Sequence, residues 1–222
     1  MRCFLALELV DTCRERLRLR MLPFARTLQN EMRWPVRLVP PENWHATLLF
    51  FRDLTDAERA EVWQEVLRNV EAGVWDDLRL PWQGLVLWPN HRRPSLICLA
   101  APPEPQAASW PITRRVGEPP FSKGEVAHLL AYRPHISLLR FQGAASRPYS
   151  KEWKALGDDL PQIPAVAIRF NRVSLFLSDV SAERPIYPRE YTAPLKVSNF
   201  PDPVGSNRFA LPDLPDLRDE GG

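Results

Sequence analysis

His45-Ala46-Thr47-Leu48 and His135-Ile136-Ser137-Leu138 decide how this chain is read. In each, a histidine is followed two positions later by a hydroxyl residue, inside an apolar run with the look of a strand. Side chains alternate between the two faces of a strand, so histidine and hydroxyl share one face. Trp44, Ala46, Leu48 and Phe50 then form the opposite, buried face of the first strand, and Ile136 and Leu138 that of the second. Two copies of one polar pair, 90 residues apart, suggest two similar halves meeting across a cleft. Paired imidazoles with hydroxyls beside them suit acid–base chemistry on a phosphate.

Working outward, the pattern predicts a strand over 2–9, with Phe4 and Ala6 on one face and Leu5 and Leu7 on the other. A helix is expected from about Thr12, broken near Pro23 and resuming to about Glu31. A strand at 36–39 runs into the Pro40-Pro41 stop, and the first motif strand occupies 44–51. Thr55 followed by Glu58 has the form of a capping box, opening a helix to Val70. Short apolar runs at 78–88 and 95–100 flank the turn-like segment 89–94. A helix is expected over 103–116, the second motif strand over 134–140, a short helix over 149–160, and strands over 165–178 and 191–198. Strands with intermittent helices and no βαβ run favour an α+β class with antiparallel sheets. Residues 1–198 read as one catalytic domain and 199–222 as a C-terminal extension, partly disordered.

Composition narrows the class. The chain has 222 residues, 45% hydrophobic and 25% charged, with a formal net charge of +2. That balance is ordinary for a globular protein and does not announce a long nucleic-acid interface, though a basic cleft could hold a phosphate end. Twenty-four prolines predict short helices and stiff loops. Cys3, Cys13 and Cys98 lack ligand spacing and are expected as reduced thiols in a cytoplasmic protein. No stretch is apolar enough to span a membrane, and Glu8 comes too early for a secretory leader. There is no glycine-rich phosphate loop.

The chemistry of the pair is specific. Opening a cyclic phosphodiester with water takes a proton from the water and gives one to the departing ribose oxygen. Imidazole does either near neutrality, one ring starting neutral and the other protonated. Thr47 and Ser137 would hydrogen-bond the non-bridging phosphate oxygens. Arginines accompany both motifs: Arg37 precedes the first, and Arg133 and Arg140 bracket the second. Strict alternation puts Arg140 on the face opposite His135, so it reaches the phosphate only if the strand ends, twists or bulges there. Phe4, Trp44 and Trp82 are candidate base-stacking platforms, and Arg92 and Arg93 beside His91 candidate backbone contacts. Neither His91 nor His128 completes a metal-ligand pattern, so no metal or other cofactor is expected.

Taken together, these residues resemble the two-histidine (2H) phosphoesterases, and within them the RNA 2′,3′-cyclic phosphodiesterases, also called 2′–5′ RNA ligases. The resemblance rests on both His-x-Thr/Ser-x tetrads and on their lead-ins, 39–44 and Arg133-Pro134. It extends to the opening segment 2–8, the basic residue Arg140, and the late strand 173–178 with Tyr187. It covers about residues 1–198. It implies a bilobal α+β fold of two antiparallel sheets with outer helices, related by a pseudo-two-fold axis through a central cleft. It also implies hydrolysis of RNA-terminal 2′,3′-cyclic phosphate to a 2′-phosphate without a metal, with 2′–5′ ligation as a related transfer; separately, nothing in the sequence marks an assembly interface, so a monomer is expected. His45 is implied as the acid toward the 3′ oxygen and His135 as the base, an order the residues themselves leave open. The sequence departs from the family in having Phe51-Arg52-Asp53 where a glycine is common, and Ser137 where threonine is commoner. A small cyclic nucleotide or ADP-ribose cyclic phosphate is the alternative substrate, and RNA-end binding without turnover the non-enzymatic alternative.

Overall fold

The computed structural model describes residues 1–51, 53–76, 82, 84–90, 92–101, 124–125, 134–142, 149–156, 159–161, 163, 168–178 and 187–197. The helix expected over 103–116, the residues Arg133, His91 and His128, and the C-terminal extension lie outside them.

Strand β1 (Cys3–Leu9) is followed by helix α1 (Asp11–Asn30), β2 (Val36–Leu38), a 3-10 turn at Pro41–Asn43 and β3 (His45–Phe51). Then come α2 (Asp56–Glu71), β4 (Gly84–Trp88), β5 (Leu96–Ala100), β6 (Gly124–Glu125), β7 (His135–Phe141), α3 (Ser150–Leu156), β8 (Phe170–Leu177) and β9 (Arg189–Pro194). All pairings are antiparallel, and the strands run β4-β5-β7-β3-β1-β8-β9, with β2 against β7 and β6 against β3. The class is α+β, as the sequence predicts.

The two expected sheets meet at one residue pair, Ala46 opposite Ile136, which makes them a single nine-stranded sheet. Around that pair the order is two-fold. β3 has β1 on one side and β7 with β6 on the other, while β7 has β5 on one side and β3 with β2 on the other. Beyond β1 lies β8, and beyond β5 lies β4.

Helix α1 does not break at Pro23. Cys13, Leu17, Met21, Phe24, Ala25 and Leu28 form a continuous buried stripe, and that burial holds the helix through the missing hydrogen bond. Pro23 and Leu19, whose carbonyl loses its partner, lie on the exposed side of the helix, away from the buried stripe. In α2 the capping box forms as predicted, with the Thr55 side chain accepting from the Glu58 backbone and Glu58 accepting from Thr55. The core fills the helix-covered face of the sheet with Leu5, Leu7, Leu9, Trp44, Ala46, Leu48, Ile136, Leu138 and their neighbours. Phe4 and Ala6 belong to a separate cluster on the other face, as the alternation in β1 requires. The three cysteines are buried free thiols. Among the described residues no helix is long and apolar enough to cross a membrane.

Candidate active site

The face of the sheet turned away from the main core carries the four motif side chains at the β3–β7 seam. Antiparallel register about Ala46 and Ile136 sets His45 beside Ser137, and Thr47 beside His135, with the side chains of Ala46 and Ile136 facing the core. Each half thus supplies an imidazole that faces the other half's hydroxyl. All four side chains are only partly buried, whereas Ala46, Leu48, Ile136 and Leu138 are fully buried.

A bulge then changes what lies farther along each strand. Leu5 and Ala6 of β1 face Leu49 and Thr47 of β3, so Leu48 has no opposite number. Ile97 and Cys98 of β5 face Leu139 and Ser137 of β7, which makes Leu138 the extra residue there. One inserted residue returns the next side chain to the original face. Arg140 therefore shares the face of His135 and Ser137, contrary to strict alternation. Phe50 shares the face of His45 and Thr47 and is 46% exposed, where alternation had placed it in the core. Arg37 sits directly opposite Arg140 in the β2–β7 pairing, on the same face. Phe50 and Arg140 occupy equivalent positions at opposite ends of this face, each five residues after its histidine.

Each histidine packs flat against an aromatic ring two strands away. Trp88 of β4 stacks on His135 with ring centroids 4.3 Å apart and planes at 23°. Phe176 of β8, its two-fold counterpart, lies 5.7 Å from His45 at 28°. In the first half Phe4 adds a second ring, 5.0 Å from His45 and 5.1 Å from Phe176, with Tyr187 set edge-on to Phe4 at 5.2 Å. Phe4 is 2% exposed, so it supports His45 rather than offering a surface to a base. Trp44 and Trp82 are likewise buried. Trp88, Phe176 and Phe50 are site residues the sequence reading missed.

The His45 ring is fixed by its Nδ1, 2.8 Å from the carbonyl oxygen of Asn43. A carbonyl only accepts, so Nδ1 carries the hydrogen and Nε2 is left for the cleft. Burial pushes the His45 imidazole down to about 4, aided by the charge of His135, while the Asn43 hydrogen bond and Glu8 pull the other way. His45 is thus neutral near pH 7 in the free protein.

Glu8 faces His45 across β1 and β3 and is 2% exposed. Its carboxylate is held by both arms of Arg189, at 2.9 and 2.7 Å, and by the Ser174 hydroxyl at 2.5 Å. Burial raises the Glu8 carboxyl, but hydrogen bonds from Arg189 and Ser174 outweigh it and hold the group below the usual range. In the second half the residue opposite His135 is Ala100, which carries no carboxylate. In that half Cys98 Sγ lies 3.9 Å from Ser137 Oγ. No three His, Cys, Asp or Glu side chains come together as a metal set among the described residues.

Neither a family model nor a curated protein matches this chain. Solved structures do. TT0787 of Thermus thermophilus is 20% identical with a TM-score of 0.53, over 89% of this chain and 99% of that one. LigT of E. coli, crystallised with ATP, is 18% identical with a TM-score of 0.50, over 88% and 98%. A protein described as a phosphoesterase is 19% identical with a TM-score of 0.55, again over 88% and 98%. Over most of its length the chain has the fold of TT0787, LigT and that phosphoesterase.

Proposed function

We propose that this protein is a two-histidine phosphoesterase that opens the 2′,3′-cyclic phosphate at an RNA end to a 2′-phosphate. The observation that carries the reading is the duplicated histidine–hydroxyl pair on the two strands that meet at Ala46 and Ile136. Water attacks phosphorus as its proton passes to one imidazole. The bond from phosphorus to the 3′ oxygen breaks, and the other imidazole protonates that oxygen. Thr47 and Ser137 hold the non-bridging oxygens, and Arg140 and Arg37 add positive charge on the same face. The exposed ring of Phe50 is suited to stacking a base.

His45 is the acid and His135 the base in this reading. Burial keeps His45 neutral in the free protein, so the negative charge of the bound phosphate has to load the proton onto Nε2. Residues 1–198 act as one bilobal unit, a monomer in the cytoplasm, where three buried free thiols are at home. The fold it shares with LigT, which has been crystallised with ATP, supports a nucleotide-derived substrate.

Hydrolysis of a short RNA ending in 2′,3′-cyclic phosphate, measured in EDTA for His45→Ala and His135→Ala, tests the reading. Each variant is expected to lose about 100-fold or more. Unchanged rates in both would overturn it.

A further inference from the structure

We infer that Glu8 is a positioning residue that sets the direction of proton traffic: its buried carboxylate opposite His45, where the second half has Ala100, makes His45 the ring that holds a proton once phosphate is bound. The inference rests on the reading above and deepens it, because it gives a structural cause for His45 acting as the acid.

The two halves of the sheet differ in what stands opposite each histidine. Glu8 of β1 faces His45 of β3, and the equivalent residue of β5, opposite His135 of β7, is Ala100. Directly opposed side chains on one face have Cβ atoms roughly 5 Å apart, so a charge on Glu8 is felt at the imidazole. Burying a carboxylate costs free energy unless charged and hydrogen-bonding partners surround it. Those partners come from β8 and β9. Arg189 grips both oxygens, Ser174 donates to one of them and lies 2.8 Å from the Thr192 hydroxyl, and Arg172 stands opposite Glu8 in register.

The charges are set out unevenly about His45. The strands run β3-β1-β8-β9, so the carboxylate lies one strand away, Arg172 two and Arg189 three. The Arg189 side chain is 45% exposed against 3% for that of Glu8, so water screens the cation more than the anion. Glu8 thus favours a proton on His45, while the charge of His135 and burial oppose it. Tyr187 also faces the ring, edge-on at 6.2 Å. In the free protein burial wins and His45 is neutral. An anionic phosphate between the rings adds a second negative charge to that of Glu8. Together they hold the proton on Nε2, which gives it to the departing 3′ oxygen while His135 takes the proton of water.

A tie between strands would be lost equally whichever end of the Glu8–Arg189 pair was cut, whereas a charge acting on His45 would not. The test therefore compares Glu8→Gln with Arg189→Gln and reads the pH profile of kcat on an RNA end bearing 2′,3′-cyclic phosphate. In that profile the high-pH limb reports loss of the proton from the acid in the enzyme–substrate complex. Glu8→Gln is expected to move this limb about one unit lower and Arg189→Gln to move it higher, with the low-pH limb moved less in both. Glu8→Asp, which keeps the charge, should restore most of the shift. The double variant leaves an amide pair without charge; its limb should lie above that of Glu8→Gln alone, and it stands in where Arg189→Gln does not fold. Shifts in the same direction from both single variants, or a low-pH limb that moves as far as the high-pH one, would overturn the inference. NMR titration of the His45 ring in saturating inorganic phosphate reads the same relation without turnover. Its midpoint should rise well above the free value in the wild type and lie about one unit lower in Glu8→Gln. An equal midpoint in the two proteins would overturn the role of Glu8. If the Glu8-dependent rise is present but the wild type hydrolyses no cyclic phosphate, the charge relation stands and the catalytic reading falls.

Discussion

Ala46 and Ile136 face one another across the seam of the sheet, both fully buried, and they form the one registered pair between β3 and β7. Everything that relates the two histidines passes through that pair, because each histidine is its immediate chain neighbour. Ala46→Leu adds volume to a site with none to spare and is expected to lower stability by about 1–3 kcal/mol. Its loss of kcat/KM should exceed what the folded fraction explains. Leu17→Ala, in the buried stripe of α1, serves as the comparison, with a loss of about 2–5 kcal/mol and kcat/KM unchanged in the folded protein. Calorimetry with kinetics on both variants checks the contrast.

The pH behaviour of His45 follows from its depressed pKa, about 4 against an ordinary 6.5. The unfolded chain takes up the proton first as pH falls below 6.5. Stability from this group is therefore complete above that pH and is lost between 6.5 and about 4, by about 3 kcal/mol at most. The NMR titration of the His45 ring in the free protein is expected to have its midpoint near 4. Glu8→Gln removes a charge that raises His45 and should move the midpoint lower still.

Glu8 and Arg189 make a second test. The Glu8 carboxyl is held below its usual range in the folded protein, so its contribution is present above the unfolded pKa and fades as pH falls through the folded one. Arg189→Gln leaves a buried carboxylate without its charged partner and is expected to cost about 3–5 kcal/mol near pH 7. The deficit should shrink in acid, where Glu8 takes up a proton. Urea melts of this variant at pH 7 and pH 4 measure both numbers.

Trp88 stacks on His135 and belongs to a strand with no other place in the site. Trp88→Leu keeps an apolar side chain but removes the flat surface that orients the ring. Its kcat should fall about tenfold or more through misplacement of the imidazole, with KM changed less. A steady-state comparison on a cyclic-phosphate RNA end separates the two constants.

Much of this arrangement was legible in the residues. The strands carrying the tetrads, the faces of β1, the capping box at Thr55 and the α+β class all follow from local periodicity and side-chain chemistry. The position of Arg140 does not, because alternation assumes one residue opposite one. A trace of the bulges was nonetheless present: Leu48-Leu49 and Leu138-Leu139 are apolar doublets at the same offset from each histidine. A period-2 reading passes over such doublets, although one inserted residue explains both. Pro23 misled for a different reason, since tertiary burial of the α1 stripe outweighs one missing hydrogen bond. Trp88, Phe176 and the Arg37–Arg140 pairing depend on which strands become neighbours, and no local pattern contains that.

Phosphorus NMR of a short RNA ending in 2′,3′-cyclic phosphate, incubated with the protein in EDTA, tests the central claim most directly. The account predicts loss of the cyclic signal and growth of a 2′-phosphate monoester, abolished in the His45→Ala/His135→Ala double variant. A 3′-phosphate product would contradict departure of the 3′ oxygen, and an unchanged cyclic signal would contradict the paired-histidine hydrolase itself.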